Sequence, residues 1–286
     1  LICGSPDVRP RKKLLSQRHP ALYFISVWEK RIRRYVRWVF DGRKYAIRQS
    51  GETLPYRVRE HQSVLLRQLG KSEMQLQINK VTNLKLAVRH LDGIVIRPGE
   101  VFSYCRLVGY PTAAKGYLPG MELSFGEPTT GIGGGICQIA NLIHWLVLHS
   151  PLTVTERHRH SFDPFPDDGR VIPFGTGATI FFNYRDYQFI NRTNQTFQLR
   201  IWLSDTFLHG ELYTDAIPDY AYRVFEREHT FLKIGQTFYR KNEIWRENRA
   251  AEGSSEELLD KNFARVMYEP TEFTEADEGA LKAFQG

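Results

Sequence analysis

The stretch from Gly131 to His149 constrains this chain most. Four glycines fall between positions 131 and 135, and Cys137 and Gln138 then open a run through Ile139, Leu142, Ile143, Trp145, Leu146 and Val147 that no Gly or Pro interrupts. Apolar residues lie on nearly every side of that run, so it predicts a buried helix, which needs protein packed all round it. With 286 residues, 42% of them hydrophobic and 25% charged, the chain has the material for one large domain or two ordinary ones and is not a disordered sequence.

Upstream of the glycines, residues 94–136 are broken by Pro98-Gly99, Gly109, Pro111, Gly116, Pro119-Gly120, Gly126 and Pro128, a pattern of short strands and functional loops. Further upstream a polar, Pro-containing arm (1–20) precedes a helix over Ala21–Phe40. A second helix is expected over Arg57–Gly70, on Val64, Leu65, Leu66 and Leu69. A third is expected over Asn79–Leu91, on Val81, Leu84, Ala87, Val88 and Leu91. Downstream the signals turn to strands: Leu152–Thr155, Ala178–Tyr184, Phe197–Leu203 and Leu208–Tyr213, then a hairpin of Tyr222–Leu232 with Gln236–Trp245. The expected class is α+β, with helices first, a glycine-rich centre around a buried helix, and mainly antiparallel strands last. Three regions follow: a basic helical region (1–78), a core domain (79–249) and a loosely held acidic tail (250–286).

Charge is uneven. Residues 1–50 carry 13 Lys and Arg against 3 Asp and Glu, whereas 251–286 carry 9 acids against 3 bases. Five of those thirteen cations ride on the first helix, where Ile25, Trp28, Ile32, Tyr35 and Val39 draw one apolar stripe and Lys30, Arg31, Arg33, Arg34 and Arg37 fill the other faces. The stripe is rich enough to be core, which favours a helix packed on its own domain over one lying on an anionic membrane. Nucleic acid is not an expected partner, because the basic charge belongs to one end and no binding motif accompanies it. No apolar run approaches a membrane span, and Ala21–Trp28 lacks a cleavage site after it, so no export signal is read. The location expected on those grounds is cytoplasmic or peripheral to a membrane, and extracytoplasmic if a native signal precedes this chain.

Three cysteines, Cys3, Cys105 and Cys137, cannot build a disulfide framework and leave at least one thiol. Cys137 falls in the first turn of the buried helix, where unpaired N–H groups and the helix dipole stabilise a thiolate and, later, an oxyanion. Gly133, Gly134 and Gly135 let a substrate approach the backbone, and Gln138 is a candidate side-chain donor. About twenty residues on, Glu156-Arg157-His158-Arg159-His160-Ser161 offers His158 and His160 as general bases, with Asp163, Asp167 or Asp168 to orient the ring. Arg157 and Ser161 beside them are read as substrate contacts. Zinc is a weaker reading of Cys137, His158, His160 and Asp163, since the spacing matches no zinc module, and no metal or cofactor is expected. Cys105, His144 and His149 read as structural.

Read in order, Asn83-Leu84-Lys85-Leu86-Ala87, Asp92-Gly93, Arg97-Pro98-Gly99-Glu100-Val101-Phe102-Ser103, Val108-Gly109, Gly131–Gln138 and Glu156–Ser161 resemble the VanW-like family in its short, single-domain form, over roughly residues 11–270. That family includes an accessory protein of glycopeptide-resistance clusters. The resemblance implies L,D-transpeptidation of peptidoglycan with Cys137 as nucleophile and His160 as preferred base. This chain has Gly175-Thr176-Gly177-Ala178 where longer members often have Gly-Arg-Asp-Ala. The expected activity is cysteine acyl transfer on peptidoglycan stem peptides. The alternative is a non-catalytic accessory protein that binds a cell-envelope partner or a peptidoglycan precursor.

Overall fold

Pro at a first helical position and Gly just past the end bracket the first element, α1 (Pro20–Phe40), whose last turn closes through Asp41 N–H donating to the Arg37 carbonyl before Gly42 turns the chain at φ +67°. The computed structural model describes residues 20–66, 74–124, 127–159, 162–164, 166, 171–250, 253–277 and 279. After α1 come β1 (Lys44–Tyr45), β2 (Tyr56–Val64), α2 (Met74–Val88), β3 (Val95–Ile96), β4 (Glu100–Ser103), the one-turn α3 (Tyr104–Val108), and the hairpin β5 (Pro119–Ser124) and β6 (Glu127–Ile132). The glycine run then leads into α4 (Cys137–Leu148), followed by β7 (Thr153–Glu156), β8 (Phe162–Asp163), β9 (Gln188–Ile190), β10 (Phe197–Leu203) and β11 (Phe207–Thr214). Three long strands, β12 (Tyr220–Ile234), β13 (Thr237–Ala250) and β14 (Gly253–Val266), and a short β15 (Thr274–Glu275) complete the described chain. This is the α+β arrangement expected, with its antiparallel sheet towards the C-terminus.

Two four-stranded sheets, ordered β1-β4-β9-β7 and β2-β11-β10-β3, frame the core, and α4 lies against β2 and β11. Ile139, Ala140, Leu142, Ile143, Leu146 and Val147 of α4 are all buried, joined by Leu84, Ala87 and Val88 of α2 and by Phe102, Tyr187, Phe189, Phe197 and Leu199 from the sheets. Gly210 on β11 is what lets the helix come down on the sheet: a methyl group there would fall 2.7 Å from the Leu142 side chain.

The long strands form an antiparallel meander β12-β13-β14, flanked in parallel by β15 and β8. It is joined to the core by Trp145 and Leu148 of α4 against Val224 and Ile244 and by the nearly buried ion pair Arg157–Asp260 at 2.7 Å, while the buried pair Arg240–Asp163 at 3.0 Å ties β13 to β8 within the sheet.

Several expectations change. The helix expected over 57–70 is strand β2 up to Val64: its Tyr56–Val64 pairs with β11 from Tyr56↔Thr214 to Val64↔Phe207. Val64, Leu65 and Leu66 are contiguous and so never formed a helical stripe, and sheet pairing decides. Leu69 lies outside the described residues. Ala178–Tyr184 makes no strand beyond a bridge of Phe181 with Arg185 that closes a turn over 182–184, and its first amides go elsewhere: Ala178 N–H donates to Asn141 Oδ1 at 2.7 Å and Thr179 N–H to the His158 carbonyl at 2.8 Å. Within the expected tail, Gly253–Val266 is not loosely held but forms the third strand of the meander, paired with β13, while residues 251–252, 278 and 280–286 lie outside the described residues.

The first helix also turns over. Its apolar stripe faces outward, with Ile25 62%, Val39 72% and Phe40 80% exposed, while Arg34 is 7% exposed and Trp38 is buried against the domain. Cations do the docking. Arg34 clasps the Glu156 carboxylate with both terminal nitrogens, and Arg31 donates to the Phe182 carbonyl at 3.0 Å with its guanidinium over the Tyr110 ring.

Candidate functional site

A cavity of about 1060 Å³ opens where α1, the β5–β6 hairpin, the first turn of α4, the 172–182 segment and β14 meet. Cys137 stands on its wall, and the glycine run fixes where. Gly133 and Gly135 adopt φ +83° and +90°, and Gly134 packs backbone to backbone on Gly120, so that a methyl group on Gly134 would fall 2.2 Å from the Gly120 carbonyl. Asn83 of α2 ties this loop down: its amide donates to the Leu118 and Gly134 carbonyls at 3.0 Å each and its Oδ1 accepts from Leu118 N–H at 2.8 Å. The glycines therefore serve close packing of the loop as well as lining the cavity.

The Cys137 thiol donates to the Ile180 carbonyl at 3.7 Å. Burial pushes its pKa up to about 11; backbone hydrogen bonding at Ile180 and Cys137 pulls the other way, and the charge of Glu122 adds to the rise. This reverses the thiolate expected at a helix N-terminus. The reason is local, because Gln138 N–H and Ile139 N–H already donate to the Gly135 and Ile136 carbonyls at 3.1 Å. Two first-turn donors are thus committed to the turn, and desolvation decides.

The sequence matches the family model described as VanW like protein over residues 79–213. It is also 32% identical over 271 residues, 93% of this chain and 98% of the other, to the Vancomycin B-type resistance protein VanW of Enterococcus faecalis. The chain belongs to the VanW-like family. A further relative, the uncharacterized protein YoaR of Bacillus subtilis, is 32% identical over 121 residues, 41% of this chain and 37% of that protein. No solved structure matches it. The VanW-like segment 79–213 supplies the thiol and the glycine loop, whereas Tyr23, Phe24, Val27 and Trp28 of α1 and Asn262, Phe263 and Ala264 of β14 wall the same cavity from outside that segment.

The other expected site residues separate. His160 and Ser161 lie outside the described residues, as do Asp167 and Asp168. His158 does not line the cavity; its Nε2 meets Glu156 Oε1 at 3.0 Å, inside the cluster that anchors α1. Burial acts to raise the Glu156 pKa, but hydrogen bonds from His158 and Arg34 outweigh it and hold the carboxyl at about 2. Arg157 is a structural cross-link rather than a substrate contact, donating to the Gly175 carbonyl, to the Gly177 carbonyl at 2.9 Å and to Asp260 at 2.7 Å. Gln138 lines the cavity, but both amide hydrogens are spent on β2, on Ser63 Oγ and the Val64 carbonyl at 2.9 Å each, so it is not available as an oxyanion donor. Asp163 accepts from Arg240 at 3.0 Å and from Tyr268 at 3.1 Å.

Cys105 is buried, with its amide donating to Asp186 Oδ1 at 2.8 Å. His144 and His149 are likewise core residues, on the Tyr187 hydroxyl and the Trp145 carbonyl. Among the described residues no three His, Cys, Asp or Glu side chains cluster as metal ligands.

Sequence reading missed Glu122. Its carboxylate lines the cavity with Cys137, close over Gly131, and burial raises its pKa. The signal was the hairpin itself: Glu122 pairs with Thr129 across β5 and β6, so the turn before the glycine run returns it to the thiol's side. Thr179 also lines the cavity, and its buried hydroxyl has no hydrogen-bond partner among the described residues.

Proposed function

We propose that the cavity receives a peptidoglycan stem peptide and that Cys137 transfers an acyl group from it. The observation that carries this reading is the placement of the thiol, at the head of a packed helix and on the wall of a cavity of about 1060 Å³ that the raised-pKa carboxylate of Glu122 also lines. In the reaction, Sγ bonds to a peptide carbonyl carbon and the carbon–nitrogen bond to the leaving amine breaks. The thiol proton passes to Glu122 and from it to that amine. The thioester is then opened by an acceptor amine, giving transpeptidation, or by water, giving hydrolysis, and the thiol is restored. A carboxylate whose pKa is raised is the better base for a thiol held protonated. The name of the Enterococcus relative, a vancomycin resistance protein, supports a substrate in the cell wall.

The raised thiol pKa favours a second reading, in which the cavity binds the stem peptide or its precursor without covalent chemistry. Intact-mass spectrometry after incubation with a synthetic stem pentapeptide separates the two. Acyl transfer predicts a thioester adduct on the wild-type chain, absent in Cys137→Ala and slowed at least tenfold in Glu122→Gln. Peptide binding retained in Cys137→Ala, with no adduct on the wild type and full function of that variant in cells, would leave the binding protein alone standing.

A further inference from the structure

The outward apolar face of α1 is the largest feature the cavity chemistry does not use. Ile25, Trp28, Ile32, Val36 and Val39 recur three or four residues apart and so share one side of the helix, and each is exposed. Arg34 and Trp38 hold the opposite side to the domain. A helix anchored through its cations and showing its hydrocarbon to solvent has the polarity of an element that meets something apolar outside the molecule.

Charge says what. Arg33 is exposed at the edge of this face, Lys30 and Arg37 are exposed further round the helix, and Arg43, Lys44 and Arg48 are exposed just beyond its end. The acidic residue on the helix, Glu29, is paired with Arg33 at 2.5 Å. A second copy docked on this face through a two-fold axis would bring these cations against their own equivalents. An anionic bilayer surface instead takes the apolar side chains between its acyl chains and the cations among its phosphates. Trp28 and Tyr35 are the residue types that favour that boundary. No described helix is long and apolar enough to cross a membrane, so α1 would lie in the surface rather than span it.

We propose that α1 docks this protein on anionic lipid bilayers through the Ile25–Val39 face. Because Tyr23, Phe24 and Trp28 also line the cavity, docking sets the cavity mouth beside the lipid surface.

Flotation of the purified full chain with vesicles tests the proposal. The chain is expected to float with vesicles containing about 30% phosphatidylglycerol, and about tenfold less with pure phosphatidylcholine or at high salt. The variant Ile25→Glu/Ile32→Glu/Val39→Glu changes only solvent-facing positions and is expected to keep the wild-type melting temperature while losing flotation. Cys137→Ser is expected to float as wild type does, which keeps this test independent of the acyl-transfer reading. Failure of the wild type to float would overturn the proposal, as would flotation unchanged in the triple variant. A wild-type dimer that the triple variant dissolves, with no flotation, would assign the face to a second copy instead.

Discussion

Two cysteines of this chain sit in the same core, and their surroundings give them different reactivities. Cys105 has its thiol against the Arg185 carbonyl in a buried pocket shared with Asp186, and burial raises its pKa well above the usual range. Cys137 borders the cavity, and a pKa of about 11 leaves about one thiol in ten thousand ionised at neutral pH. Alkylation of Cys137 by iodoacetamide, followed by peptide mass spectrometry, is therefore expected to accelerate about tenfold per pH unit from 7 to 10 without a plateau. A plateau below pH 8 would show a thiolate that the resting structure does not hold. The glycine loop gives a second prediction at this scale. Gly134→Ala drives a methyl group into the Gly120 backbone, which cannot swing aside, and is expected to cost about 3 kcal/mol in urea unfolding. Gly51→Ala, with nothing within 4 Å, is expected to stay within about 0.5 kcal/mol of wild type. The position of Cys137 at the head of α4 was legible from the glycine run and the apolar segment behind it. Its protonation was not, because it depends first on burial under segments distant in sequence and then on the charge of Glu122, which no local spacing connects to it.

The docking of α1 turns on one cluster. Glu156 accepts from Arg34, His158 and the Asp186 amide, and its pKa of about 2 stands below the ordinary 4.5. A depressed carboxyl stabilises the fold at pH above 4.5 and loses that contribution as pH falls towards about 2, a swing of about 3 kcal/mol. Protection from hydrogen exchange over residues 20–40, taken relative to the intrinsic amide rate at each pH, is thus expected to fall across that window, and Glu156→Gln is expected to show the low protection already at pH 7. Protection that is the same at every pH would detach the helix from this carboxylate. The amphipathic period of α1 was readable from Ile25, Trp28, Ile32, Tyr35 and Val39, but which side faced inward was not. An apolar stripe marks what a helix hides from water, and whether the domain or another body hides it is decided by distant partners such as Glu156 and Phe182. Residues 57–64 failed for a related reason, since β2 exists through its register with β11, about 150 positions along the chain.

At the scale of the molecule, the meander and the core are held together by buried charge as much as by hydrocarbon. Arg157 reaches Asp260 and two carbonyls of the 175–177 segment, and removing it leaves Asp260 with one fewer cation and those carbonyls unpaired. Arg157→Ala is expected to cost about 3 kcal/mol and to free the 220–266 strands for proteolysis before the core melts. Simultaneous loss of both would show that they unfold as one unit. The α+β class and the antiparallel ending were legible in the sequence, through the aromatic and β-branched runs at 197–203, 208–213 and 222–245. The third strand was hidden because Gly253–Asp260 is acidic and mostly exposed, the composition of a solvated tail, and only its ladder with β13 orders it.

The cavity is walled by Tyr23 near one end of the described chain and by Ala264 near the other. Along a nascent chain those walls emerge more than two hundred residues apart, so the chamber around Cys137 cannot close until β14 has left the ribosome. A truncated product, or one clipped within the meander, would carry its thiol with no room built around it, and completeness of translation becomes a condition for any chemistry there.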